Sequence, residues 1–408
     1  MREEYDDYDY DEEYEKRKRR AAAIRKKKKK KKKRIVLFVI EIAVLAVLVI
    51  GVFVFASVNS GLRKLGTGVS TDTSSDNPDL DTDNVQISEE VAVDKVMSGY
   101  TNILLVGLDA RDYDDPDYCN SDTMIICSIN NDNGEIRLVS ILRDTYLNVD
   151  PDGWQFEKAN SAYCYGSVTQ CLSMINKNLD MNITQYLTVD FSALATLVDD
   201  IGGVDIELSE QEIVHLNNYC KETSEVTGMS YEDLPEVAGT YTLNGVQAVS
   251  YARIRYTAGQ DMKRAQRQRL LVNKIIEKAR SSGITGVTAI INDVFPLCKT
   301  NISNAMLIKM ATQMIGYYAI VDTNNFPFQF LENSQYVNEE FMVPVTLEKN
   351  VQQLHEFLFN ETDYDPSQTV KDYSLEIEQT SGYTMDDYDH AVEASTIPLA
   401  GSEADTVR

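Results

Sequence analysis

NILLVGL (residues 102–108) and MIICSINNDNGEIRLVSILRDT (residues 124–145) decide how this chain folds. The first is a short, unbroken apolar run of the kind that forms a strand covered on both faces. The second holds two more such runs, MIICSI and IRLVSIL, divided by NNDNG (residues 130–134), a strong hairpin turn. The hairpin makes the second and third strands antiparallel, so the start of one and the end of the other share an edge. An antiparallel first strand ends on that edge as well. Asp109 and Arg111 just past the first strand, Asp122 at the entrance to the second and Arg143 at the exit of the third then gather along one rim. Two carboxylates a strand width or two apart suit a hard divalent cation that keeps phosphate or water among its ligands. Arginines beside them require an anion, and a pyrophosphate–Mg²⁺ complex satisfies both together. Taken alone, Asp122 capping a turn and Asp109 paired with Arg111 would account for the same residues.

Farther along, strand-like and helical patterns alternate. Residues 184–189 read as a strand, 193–201 as a helix stopped by Gly202-Gly203, and 204–208 as another strand. Ser209 is placed to cap a short helix, and Asn244-Gly245 opens a helical stretch, VQAVSYA. The alternation predicts an α/β fold, a three-layer-like sandwich with a central mixed sheet flanked by helices. The polar segment 210–239 reads as an insertion or lid.

The next stretch, YARIRYTAGQDMKRAQRQR (residues 251–269), sets Arg253, Arg255, Lys263, Arg264, Arg267 and Arg269 against one acid, Asp261, a local balance of +5. Like charges held together cost free energy unless an anion neutralises them. Arginine's planar fork suits phosphate or carboxylate oxygens. In an extended segment Arg253 and Arg255 point the same way. In the helix that starts near Asp261, the spacing of Arg264, Arg267 and Gln268 places them on one face. Two converging arginine pairs form a clamp for a large or doubly charged anion; a solvated helix face is the plainer alternative.

Charge and hydropathy divide the 408 residues. Residues 1–34 carry 16 basic and 9 acidic residues, ending in a run of lysines between Arg25 and Arg34; such a segment cannot form a core, and disorder is expected. Residues 35–57, interrupted only by Glu41, are long and apolar enough for a single N-terminal transmembrane helix. The basic run before it keeps the N-terminus cytoplasmic, so the remainder is expected outside the cell membrane. Residues 58–98 read as an extracytoplasmic stalk, 99–359 as the folded domain and 360–408 as an acidic, disordered tail. With the +7 head and Glu41 set aside, the rest of the −25 chain carries −31, which excludes nucleic acid as a partner. Six cysteines form no CxxC and the three histidines are scattered, so a zinc site is not expected.

The motifs NILLVGLDAR (102–111), SDTM (121–124), SILRDTYLNV (140–149), KANSAY (158–163), VDF (189–191), VDDIGGVDI (198–206), LNGVQAVSYARIR (243–255) and DMKRAQRQ (261–268), in this order, resemble the LytR-CpsA-Psr family of membrane-anchored cell-wall ligases. The resemblance covers about residues 100 to 345. It implies transfer of a glycan phosphate from a polyprenyl-pyrophosphate-linked precursor to a peptidoglycan hydroxyl, with Mg²⁺ as cofactor. It further implies that Asp109 and Asp122 hold the metal, that Arg111, Arg143, Arg253, Arg255, Arg264 and Gln268 hold the pyrophosphate, and that Asp261 supports them. An apolar tunnel between sheet and helices would take the lipid tail. Three departures stand out: Asn120 where the family often has arginine, Leu142 where proline often precedes RDT, and Ser167 in place of a frequent glycine. The same clamp could serve a non-catalytic sensor of polyprenyl phosphate or a lipid-pyrophosphate hydrolase.

Overall fold

The computed structural model describes residues 84–108, 121–255, 260–281, 293–294, 297–303, 306, 310, 319–332 and 341–393. The expected membrane helix at 35–57 lies outside these. Among the described residues no helix is long and apolar enough to cross a membrane.

The described chain begins with a short helix, α1 (Glu89–Ala92), and passes into β1 (Tyr100–Leu108), β2 (Ser121–Asn130), β3 (Glu135–Ile141), β4 (Tyr146–Asp150) and β5 (Gln155–Lys158). Helix α2 (Ala162–Leu179), β6 (Gln185–Val189), α3 (Phe191–Asp200), β7 (Val204–Leu208) and α4 (Glu210–Thr227) follow. Next come β8 (Gly239–Leu243), α5 (Gly245–Arg253), α6 (Gln260–Ser281), β9 (Lys299–Thr300), β10 (Ala319–Phe326), β11 (Gln329–Glu332) and β12 (Met342–Pro344). The described chain closes with α7 (Leu347–Phe359), α8 (Gln368–Ser381) and β13 (Val392–Glu393).

Six strands form the central sheet in the order β10-β3-β2-β1-β6-β9. The pairing β2–β3 is antiparallel, as the hairpin turn demands, and so is β1–β2, while β1–β6 and β3–β10 are parallel. The sheet is therefore mixed, as expected. Its strands read as continuous apolar runs because both faces are covered. One face packs Leu104, Val106, Met124, Ile126 and Val139 against α2, α7 and α8. On the other side, α3, α4, α5 and α6 share a second apolar cluster with β7 and β8. The close seating of α5 on α3 depends on Gly245, where a Cβ would come within 2.2 Å of the Ala195 carbonyl oxygen.

Three sequence boundaries are corrected. The end of the expected stalk belongs to the domain: Val91 and Met97 are buried in the first cluster. The segment 210–239 is no loose lid over its first part, because Ser209 forms a capping box with Glu212 and α4 buries Ile213, Leu216 and Cys220 in the second cluster. Those apolar positions are diluted by charge, which hides a helix whose inward stripe is only one side chain wide. The expected disordered tail contains α8, which buries Val370, Tyr373 and Ile377. Its approach is fixed by Asp180, whose carboxylate accepts from the Ser367 amide (2.6 Å), the Ser367 hydroxyl (2.7 Å) and the Tyr364 hydroxyl (3.1 Å).

Candidate active site

Register alone assembles the rim. Leu108, the last residue of β1, pairs with Ser121, and Ile141, the last of β3, pairs with Met124. Asp122 thus stands beside the chain that runs from β3 into Arg143. Helix α5, started by an Asn244–Gln247 capping box, ends at Arg253 and delivers Arg255 just beyond. Helix α6 brings Arg264 to the same place.

Asp122 is the hub. One carboxylate oxygen accepts from Arg143 Nη1 at 3.1 Å, and the other from Arg255 Nη2 at 3.0 Å. Arg264 Nη1 lies 3.6 Å from that second oxygen, and its Nη2 donates to the Asp122 carbonyl at 3.4 Å. Burial pushes the Asp122 pKa up, but attraction to Arg264, Arg255 and Arg143 outweighs it and holds the carboxyl below its ordinary value. Three guanidiniums thus converge on Asp122, and Arg143 also meets the carboxylate of Asp144 at 3.3 Å.

Behind this mouth lies a cavity of about 460 Å³. Leu105, Ile125 and Leu187 line it from the sheet, and Leu194, Val249, Leu271 and Ile275 from the helices. Gly107 belongs to the same wall, where a Cβ would press within 2.9 Å of Thr123. Asp122, Arg253, Arg255, Arg264 and Gln268 border the cavity. A space with apolar walls and a cationic border fits an amphiphile with an anionic head.

Arg253 also lies here, held between the rings of Phe191 (4.8 Å) and Tyr219 (5.1 Å). It donates to Glu222 and to the Thr223 hydroxyl, both at 2.9 Å. Arg267 is a correction. It is fully buried, donates to Glu212 at 3.0 Å and to the Ile254 carbonyl at 3.2 Å, and does not border the cavity. Its effect on the site is indirect: it pins the backbone that carries Arg255. Asp109, Arg111 and Asn120 lie outside the described residues, as does the side chain of Asp261.

Two neighbours escaped the sequence reading. Asp144 Oδ2 lies 3.3 Å from Arg143 Nε, and Lys158 Nζ lies 3.5 Å from Asp144 Oδ1. They extend the charged row from Asp122 towards the β4–β5 hairpin. Both stand inside motifs, RDT and KANSAY, but neither adds to the arginine cluster that drew attention to the site.

For a divalent cation, the described residues contain no group of three or more His, Cys, Asp or Glu side chains able to hold a metal. Mg²⁺, however, takes only one or two carboxylates and completes its shell with phosphate and water. An ionised Asp122 at the border of an anion site fits that donor chemistry.

The fold and the site define an α/β protein that gathers three arginines around one aspartate at the mouth of an apolar cavity. Residues 65–358 match the LytR_cpsA_psr family, and the chain belongs to that family. Among its relatives are polyisoprenyl-teichoic acid–peptidoglycan teichoic acid transferases TagU from Enterococcus faecalis and Bacillus cereus. Each is 28% identical, over 50% of this chain and 61% of the first relative, and over 55% of this chain and 66% of the second. The chain therefore spans just under two thirds of their length. Among solved structures, protein gbs0355 from Streptococcus agalactiae has the same fold, with a TM-score of 0.54 at 20% identity, covering 69% of this chain and 92% of that one.

Proposed function

We propose that this protein is a phosphotransferase that moves a glycan phosphate from a polyprenyl-pyrophosphate-linked precursor to a peptidoglycan hydroxyl, attaching a teichoic-acid-like or capsular polymer to the cell wall. It would act at the outer face of the cell membrane, anchored by residues 35–57. The observation that carries this reading is the juxtaposition of Arg143, Arg255 and Arg264 around Asp122 with the apolar cavity beside them. The relatives' names support the reaction class.

In this reading the polyprenyl tail lies along Leu105, Leu187, Leu271 and Ile275, and the diphosphate rests against the arginines. Arg255 and Arg264 turn from Asp122 to phosphate oxygens without crossing the site. When the acceptor hydroxyl attacks the distal phosphorus, the bond to the lipid phosphate breaks and negative charge grows on the leaving group. Guanidiniums already aimed there stabilise that charge without reorganising, the principal source of rate enhancement in phosphoryl transfer. Arg143, steadied by Asp144, keeps the rim side cationic. Mg²⁺, held by Asp122 together with Asp109, would supply further neutralisation of the diphosphate.

The test is incubation of the full-length protein with lipid-pyrophosphate glycan, Mg²⁺ and peptidoglycan oligomers. Joined product is the expected result. Freed glycan phosphate alone would make the protein a hydrolase, and tight binding without turnover a sensor.

A further inference from the structure

Trp154, the chain's single tryptophan, is 48% exposed at the turn before β5. Its backbone is left-handed (φ +52°), a conformation that a bulky side chain adopts only when its surroundings hold it there. The surroundings are explicit. The indole packs edge-on against Phe156 (5.8 Å) and Tyr373 (5.1 Å), and its N–H donates to Glu376 at 3.4 Å. Tyr373 and Glu376 belong to α8, beyond residue 358 where the family match ends. This chain's own C-terminal helix therefore builds the support that keeps an aromatic ring partly in solvent.

Polar groups follow along β5. Gln155 donates to the Tyr165 hydroxyl at 3.0 Å, that hydroxyl donates to Glu157 at 2.6 Å, and Tyr165 is itself exposed. Around Tyr373 stand the carboxylates of Asp150, Asp152 and Asp372. From Trp154, β5 leads back to Lys158, roughly 13 Å away at about 3.3 Å per residue. Lys158 touches Asp144, Asp144 touches Arg143, and Arg143 touches Asp122. The molecule thus offers two chemically opposed surfaces on one path: a cationic mouth for phosphate, and an acidic, aromatic arm that repels it.

We propose that Trp154 is the stacking platform for an uncharged, N-acetylated glycan strand, laid along residues 154–158 so that one of its hydroxyls approaches Arg143. This deepens the transferase reading and rests on it: the glycan is the acceptor. The C–H face of a pyranose ring stacks on an exposed indole, while amide, phenol and carboxylate groups take up hydroxyl and acetamido hydrogen bonds. The surrounding carboxylates exclude the phosphate-bearing donor polymer from the same surface.

Because Trp154 is the sole tryptophan, its emission reports occupancy directly. The full-length protein in detergent is titrated with tetra-N-acetylchitotetraose, with polyphosphate and with oligolysine. A saturable emission change with the sugar alone is expected. No response to the sugar, or an equal response to oligolysine, overturns the proposal. In the transfer reaction Trp154→Asn, whose short side chain tolerates the left-handed backbone, should raise KM for peptidoglycan oligomers about ten-fold, the worth of one aromatic contact. KM for the lipid-linked donor should not change, and Trp154→Tyr should recover most of the loss. Transfer with an unaltered acceptor KM in Trp154→Asn refutes the platform and leaves the transferase reading intact. Sugar binding without any transfer does the reverse.

Discussion

Arg264 and Arg267 stand three residues apart on α6, each beside a carboxylate, yet they have opposite fates. Arg267 meets Glu212 one to one, and both side chains are fully buried. Its remaining donors include one given to the Ile254 carbonyl, while Glu212 also accepts from the Ser209 amide at 3.1 Å. That pair is closed. Arg264 instead joins Arg143 and Arg255 on the carboxylate of Asp122, and Asp122, Arg255 and Arg264 border a cavity. Convergence of several guanidiniums beside a cavity, rather than the presence of arginine, separates the proposed ligand site from the pair that holds the fold together.

The largest effect that would break this distinction is on folding. Glu212→Gln leaves Arg267 buried without its counter-charge and weakens the capping box. Chemical denaturation should show a loss of about 3–5 kcal/mol. A loss below 1 kcal/mol would mean that the buried pair is no more closed than the open one. Next in size, Arg255→Ala should leave the denaturation midpoint nearly unchanged and reduce transfer roughly 100-fold, as removal of one donor to a developing oxyanion does. Unchanged transfer would take the open site out of the reaction.

A pH series sharpens the comparison further. Burial raises the Asp122 pKa, but Arg264, Arg255 and Arg143 together bring it below the ordinary 3.8. A carboxyl whose pKa is depressed by folding contributes stability that is complete above its unfolded value and is lost as pH falls through the folded one. The difference in Tm between the wild-type protein and Asp122→Asn should therefore stay constant from pH 7 to 5 and shrink only below about pH 4. A difference that fades near pH 6 would contradict the arginine assignment. The smallest effect is a control that touches neither pair. Ser167 interrupts α2 at φ +58° and ψ −153°, a region occupied almost only by glycine. Ser167→Gly should raise stability by roughly 1 kcal/mol, read as a higher Tm, with transfer unaltered.

Much of this was legible in the sequence, and the failures have physical reasons. NNDNG fixed the antiparallel order of β2 and β3, and with it the meeting of Asp122 and Arg143. Asn244 announced α5 and Ser209 the start of α4, though not its length, because capping is a local matter of one side chain and a few amides. Spacing failed at Arg267. Residues 262–267 of α6 are buried throughout, so several faces of the helix meet protein, and a shared face does not say which partner it meets. The departure at Ser167 was visible, but its cost became intelligible only with the backbone angles. Tail helix α8 escaped although Val370, Tyr373 and Ile377 keep ordinary helical spacing, because the surrounding residues are polar and acidic; what orders the helix is tertiary contact with Trp154, Phe156 and Asp180.

The placement of Asp122 has a kinetic consequence. Gathering mutually repelling cations is ordinarily slow and unfavourable, and a site assembled by its ligand would bear that cost at each encounter. Here a built-in counter-ion holds the guanidiniums together beforehand. Under the proposed reaction, an arriving diphosphate would need only to exchange places with an occupant already of its own sign, so its capture should be governed by encounter rather than by rearrangement of the protein.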